Sequence, residues 1–254
     1  MPIPTKKKEA TFDPWRMKAI LYGDPKLGKS TFVSKIPNSI VLATDDGWDA
    51  LSGMLWQDTT GKWLIDSWKT LWEAAKEVVE SGKFKTLIID SIDLALVLAT
   101  EYVREKYSVE FLNDGKLSYG KGNELVARET IKLLHACRST GMGVWLTSHP
   151  TTEEIALPNG VTYTTTLPSL PDRPKRGQSP RSMIIGWCDF ILYAALDPVK
   201  DGTGAVTGYT RRIHSQRTWQ YEAGDRTGKI PDPLPLDIKA FQQCFAATKQ
   251  EGKK

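Results

Sequence analysis

The sequence predicts an α/β protein, a mainly parallel central sheet flanked by helices, with an antiparallel hairpin near the C-terminus. Three observations predict it. Up to Pro150, short apolar runs alternate with stretches of helical periodicity, the pattern of parallel strands joined by crossover helices. A glycine-rich loop separates the first run from the first helix. From Asp189 onward, strand-like segments follow one another directly, as hairpins do.

Each element has its own signal. Residues 1–16 are polar and lysine-rich and read as a flexible basic arm. Met17 to Tyr22 is an apolar run that reads as a buried strand, and Lys29 to Ile36 as the helix after the loop, stopped before Pro37. Ser39 to Thr44 is a second strand, and Gly47 to Trp56 is expected to form a short helix. Ser67 is an N-cap candidate for a helix to about Glu80, whose apolar positions Trp68, Leu71, Trp72, Ala75, Val78 and Val79 recur at helical spacing. Ser81-Gly82 ends it.

Thr86 to Asp90 is the third strand, Leu94 to Lys106 a helix, Asn113 to Gly122 a glycine-rich interruption, and Glu124 to Arg138 a long helix. Gly143 to Ser148 is the fourth strand. Residues 150–182 are rich in Pro, Thr and Ser and read as a mobile loop. Strands are then expected at Asp189 to Leu196, Tyr209 to His214 and Trp219 to Ala223. One domain therefore spans 17–245, followed by a polar tail at 246–254.

Composition narrows the function classes. No apolar run approaches the ~20 residues of a membrane span, and the N-terminus has no apolar leader core, so a cytoplasmic protein without membrane partners is expected. The three cysteines are far apart, with no CxxC pair, which argues against a disulfide framework or a zinc site. A net charge of +4 permits nucleic-acid binding without requiring it.

Gly23-Asp24-Pro25-Lys26-Leu27-Gly28-Lys29-Ser30 fits the phosphate-loop pattern GxxxxGK[ST] without a mismatch. Glycines let the backbone curl so that its N–H groups face phosphate oxygens. Lys29 reaches the outer phosphates, Ser30 offers a hydroxyl to Mg2+, and Thr31 completes the set of nucleotide-binding residues that begins at Gly23. The expected ligands are thus ATP and Mg2+. Asp90 closes an apolar strand, where a carboxylate can hold the same ion. A water-activating carboxylate should lie nearby, and Asp45 and Asp46 follow the second strand; a helix N-cap is the alternative use of that pair. His149 ends the fourth strand, where it can donate or accept a hydrogen bond toward the site.

Single-stranded nucleic acid needs basic groups along its backbone and aromatic faces for its bases. Lys175, Arg176 and Arg181 in the 150–182 stretch, and Arg211 and Arg212 near Trp219 and Tyr221, are the candidates; a solvated surface is the alternative.

The ordered segments GDPKLGKST, VLATDDGWDAL, Ile65-Asp66-Ser67-Trp68, TLIIDSID, SYGKG, VWLTSHP and YEAGDRTGKIP resemble those of phage nucleotide-binding proteins. That group has a RecA-like P-loop NTPase core and includes ATPase-type single-strand annealing proteins. The resemblance runs from Met17 to Phe241. It implies Mg-dependent ATP hydrolysis, self-assembly into a homo-oligomer, and action on single-stranded DNA in phage recombination or replication, with a single-strand-binding protein as a further partner. It also implies that Asp45 is the catalytic acid, His149 a polar switch before a DNA-binding loop, and Arg226 a residue directed at a neighbouring subunit's ATP. A nucleotide-dependent scaffold that binds protein partners is the alternative.

Overall fold

The computed structural model describes residues 12–172 and 179–246. The elements, in chain order, are β1 (Lys18–Gly23), α1 (Lys29–Val33), β2 (Ser39–Ala43), α2 (Trp68–Ser81), β3 (Thr86–Asp90), α3 (Ile92–Tyr107), α4 (Lys121–Arg138) and β4 (Gly143–Ser148). There follow β5 (Pro150–Ala156), β6 (Thr162–Pro168), α5 (Pro180–Trp187), β7 (Phe190–Lys200), β8 (Val206–His214), β9 (Gly224–Asp225), β10 (Leu234–Pro235) and α6 (Ile238–Ala246).

The main sheet runs β10-β8-β7-β1-β4-β3-β2, with β9 alongside β7. The five strands β7, β1, β4, β3 and β2 are parallel to their neighbours, while β8, β9 and β10 pair antiparallel. Strand side chains alternate between two cores. Ile20, Leu87, Ile89, Val144 and Leu146 pack toward α2, α3, α4 and α5. Ala19, Leu21, Ile88 and Trp145 pack toward α1 and α6. Burial on both faces is why the parallel strands read as continuous apolar runs rather than alternating ones. Among the described residues, no helix is long and apolar enough to cross a membrane, and all three cysteines are free thiols.

Local chemistry sets the helix ends. The Ser67 hydroxyl accepts the Thr70 amide at 3.1 Å, and Gly82 closes α2 in the left-handed region at φ 61°. α4 starts earlier than its periodicity suggests, because Gly120 sits at φ 88° and lets the chain turn into the helix at Lys121. Gly122 has no room for a side chain: a Cβ there would meet the Leu112 carbonyl oxygen at 2.3 Å. That close approach accounts for the glycine spacing of SYGKG.

Four expectations are corrected. The segment from Gly47 to Trp56 is not a helix; it folds back so that Leu55 bridges to Val41 and Trp48 is buried. The stretch 150–182 is not a loop throughout, since β5 and β6 form a two-stranded hairpin in full register from Pro150↔Pro168 to Ala156↔Thr162. Trp219 to Ala223 is not a strand, and only Tyr221 bridges to Thr166. The end of the N-terminal arm is anchored: Pro14–Arg16 form a 3-10 turn, Trp15 is buried against Trp145 and Phe241, and the Thr86 hydroxyl donates to the Trp15 carbonyl at 2.6 Å. The rest of the arm, residues 1–11, and the tail from 247 lie outside the described residues.

Candidate nucleotide site

β1 leaves the sheet at Gly23, where a Cβ would meet the Ala194 carbonyl oxygen at 2.2 Å; only glycine lets the chain turn this close to β7. The loop then passes through Lys26 at φ 64° and Gly28 at φ 105° before entering α1 at Lys29. Asp24 and Pro25 are exposed, while Leu27 is buried as an anchor under the loop. The Lys29 amine is buried and donates to the Gly23 and Asp24 carbonyls at 2.7 and 2.9 Å. Two of its three protons thereby hold the loop's shape. Burial pushes this amine below its ordinary pKa, and the carboxylates of Asp90, Asp93, Asp24 and Asp45 oppose that shift.

The cleft over the loop has a volume of about 380 Å³ and is lined by Lys26, Gly28, Lys29, Ser30, Thr31, Asp45, Trp48, Asp90, Ser91, Thr147 and His149 among others. Asp90 lies at its floor, at the end of β3. Its Oδ1 accepts a hydrogen bond from the Thr147 hydroxyl on β4, and its Oδ2 is buried without a partner. Burial raises the Asp90 pKa; the Thr147 hydroxyl offsets this in part, as do the nearby Ser30 hydroxyl and Trp48 N–H, neither of which completes a hydrogen bond to Oδ2.

Trp48 Nε1, Ser91 Oγ and Asp93 Oδ1 are likewise buried without partners. So of the six such side-chain atoms among the described residues, three belong to residues lining this cleft and a fourth to Asp93, which sits behind His149. Buried polar groups are ordinarily satisfied, so a local concentration of exceptions marks where a ligand belongs.

The sequence left Asp45 and Asp46 as alternatives. Asp45 lines the cleft and accepts the Gly47 amide at 3.1 Å, whereas Asp46 is exposed and outside the lining. His149 also lines the cleft, and its Nδ1 is 2.6 Å from Asp93 Oδ2. Asp93 was not among the residues singled out from the sequence. Its signal was the spacing Asp90-Ser91-Ile92-Asp93, which places a second carboxylate in the first turn of α3, directly behind the strand end. The His149 carbonyl in turn accepts the Ser169 amide at 2.8 Å, joining the cleft to the base of the β5–β6 hairpin.

Other candidate residues lie elsewhere. Arg226 sits at the opposite end of the sheet from the loop, where it pairs with Asp189 at 2.6 Å beside Lys18, the first residue of β1. Within its own chain it does not reach the cleft. Arg181 is corrected as a DNA contact: it is turned inward, paired with Glu153 at 2.6 Å and Asp172 at 3.3 Å, and its Nε donates to the Leu170 carbonyl. Lys175 and Arg176 lie outside the described residues. Arg211 is exposed and Arg212 half-buried, on opposite faces of β8.

The donor set suits a hard cation that keeps most of its own ligands. One hydroxyl, Ser30, and one carboxylate with a free oxygen, Asp90, meet at the loop, as Mg2+ beside phosphates requires. Among the described residues, no cluster of three or more His, Cys, Asp or Glu forms a self-sufficient metal site.

Comparison with known proteins supports an assignment at family level. The chain is 27% identical over 109 residues to the SPbeta prophage-derived uncharacterized protein YorG of Bacillus subtilis, a match covering 41% of this chain and 32% of that protein. The chain thus matches about a third of that relative's length. A KaiC-like protein of Pyrococcus horikoshii superposes over 79% of each chain with a TM-score of 0.44 at 13% identity. The model of the AAA domain family matches residues 16–227, most of the chain, and the protein belongs to that family.

Proposed function

We propose that the protein binds ATP with Mg2+ in this cleft and hydrolyses it, as a RecA-like ATPase of phage DNA recombination or replication that acts on single-stranded DNA. The observation that carries the nucleotide reading is the concentration of buried, unpartnered polar atoms around a phosphate loop whose lysine is already in place. Lys29 and the loop amides bind the phosphates, while Ser30 and Asp90 hold the ion. Bound Mg2+ would neutralise charge on the phosphoryl group being transferred. Asp45 orients the attacking water and takes its proton as the water oxygen bonds to the γ-phosphorus and the bond to the β–γ bridging oxygen breaks. Asp93 holds His149 by Nδ1, leaving Nε2 as the ring nitrogen available to the cleft.

The prophage-derived name of the relative and the β5–β6 hairpin tethered to His149 support the DNA part of this reading. In an assembly of copies, Arg226 of one subunit would act on the next, and a single-strand-binding protein would be a partner. A second reading, a nucleotide-dependent scaffold for protein partners, is favoured by two features. Arg181 and Arg217 are engaged with carboxylates, and Leu196, Val206 and Tyr209 are exposed on the β7–β8 hairpin.

Hydrolysis measured with and without single-stranded DNA, beside Lys29→Ala, decides between them. Turnover that DNA stimulates and Lys29→Ala abolishes is the expected result. Turnover indifferent to DNA favours the scaffold, and equal turnover in Lys29→Ala rejects the site.

A further inference from the structure

β7 and β8 continue beyond the strand ends that frame the phosphate loop. Their register is Ala194↔Ile213, Leu196↔Arg211 and Pro198↔Tyr209. Phe190, Leu192, Ala194 and Ile213 all face the core shared with α1 and α6. The two-residue period of a strand therefore sets Leu196 and Arg211 on that same face, the face over which the loop passes into α1. The contact follows. Arg211 Nη1 lies 3.4 Å from the point a Cβ would occupy on Gly28, and Leu236 Cδ2 lies 3.9 Å from it. The two residues are fixed to each other, since the Leu236 amide donates to the Arg211 carbonyl at 3.1 Å.

Arg211 differs from Arg181, Arg217 and Arg226 in its ion pairing. Arg181, Arg217 and Arg226 each meet a carboxylate, at 2.6, 3.6 and 2.6 Å. Arg211 has no carboxylate within ion-pair distance among the described residues. Its guanidinium leans instead on a loop that already carries Lys26 and Lys29. The carboxylates of Asp24, Asp45, Asp90 and Asp93 act on Lys29, but none of them pairs with Arg211, so its guanidinium is left open to an anion lying on the loop. A guanidinium is the side chain best shaped to share a phosphate with backbone amides.

We propose that Arg211 is a nucleotide-binding residue acting in its own chain: from beside Gly28, just outside the residues that line the cleft, its guanidinium reaches the polyphosphate of the nucleoside triphosphate held by Gly23 to Ser30. This assignment rests on the nucleotide reading above. It moves Arg211 from the DNA contacts expected of the sequence to the ATP site.

The test is equilibrium binding of ATP with Mg2+, and separately of a single-stranded oligonucleotide without nucleotide, to wild type, Arg211→Ala, Arg211→Lys and Lys29→Ala. Arg211 is exposed, so both of its variants should fold, which thermal melting checks. The expected result is ATP affinity about tenfold weaker in Arg211→Ala, partly recovered in Arg211→Lys, with oligonucleotide affinity unchanged. ATP affinity within twofold of wild type in Arg211→Ala overturns the assignment while leaving the site itself intact. The same holds if oligonucleotide binding falls in its place. Wild type that binds ATP no better than Lys29→Ala overturns the nucleotide reading, and this assignment with it.

Discussion

At the end of the sheet where β1 and β7 begin, polar groups satisfy one another. Asp189 accepts from Lys18 at 3.3 Å and from Arg226 at 2.6 Å, and the Thr86 hydroxyl closes on the Trp15 carbonyl. At the other end, where β1, β3 and β4 finish, the same kinds of groups are left open. Asp90 Oδ2, Asp93 Oδ1, Ser91 Oγ and Trp48 Nε1 are buried without partners around a buried lysine. The first end is arranged for stability. The second destabilises the free protein, because an unsatisfied buried polar group costs about 1–3 kcal/mol, and it is arranged for a ligand. Equal chemistry at two ends of one sheet thus separates structure from function by whether the hydrogen bonds are complete.

Asp90→Asn strikes the open end hardest. Hydrolysis should fall by about 100-fold or more, while the nucleotide-free protein should melt no lower than wild type at neutral pH. The sign follows from burial, which raises the Asp90 pKa in the folded state. The folded protein then holds this proton more tightly than the unfolded chain, so ionised Asp90 weakens the fold above the raised pKa. That penalty fades as pH falls toward the ordinary carboxylate value. The difference in melting between Asp90→Asn and wild type should therefore shrink on acidification. A variant that melts well below wild type at neutral pH would show that Asp90 belongs with the satisfied end.

Asp93→Asn tests the His149 pair more finely. Turnover should drop about 10- to 100-fold with ATP affinity within about threefold, the mark of a positioning residue. An equal loss of affinity and turnover would reduce the pair to a fold contact.

Arg181→Ala should behave like a lesion at the closed end although it lies elsewhere. Arg181 is nearly buried but its partners Glu153 and Asp172 are 42% and 30% exposed, so losing both pairs and the hydrogen bond to the Leu170 carbonyl should lower stability by about 1 kcal/mol in denaturant titration, with oligonucleotide binding unchanged. Arg226→Ala should have the smallest effect on stability. Its side chain is 61% exposed, so its pair with Asp189 is worth under about 1 kcal/mol, and a single copy should hydrolyse ATP as before. Assembled copies should instead lose turnover at unchanged melting temperature if Arg226 acts in a neighbouring subunit's site, and turnover that Arg226→Ala leaves unchanged in the assembly rejects that role.

The amino-acid sequence by itself determined what depends on short-range pattern. The apolar runs at 18–23, 39–43, 86–90 and 143–148 could only be strands buried on both faces, and Ser67 with Gly82 bounded a helix by capping chemistry. Gly23 to Ser30 declared a phosphate loop because turning beside Ala194 and through φ 105° demands glycine. Tertiary structure decided what depends on which residues meet. The ladder register between β7 and β8 sets Arg211 over Gly28, and packing of α3 behind β4 joins Asp93 to a histidine 56 positions away. Arg181 and Arg226 have the same charge in the sequence as any surface arginine. Their partners Glu153 and Asp189 lie 28 and 37 positions away, and no local periodicity encodes such a pair. The reason is physical: backbone conformation responds to neighbours within a turn or a pleat, whereas the fate of a charge is set by whatever the completed fold places within a few ångströms of it.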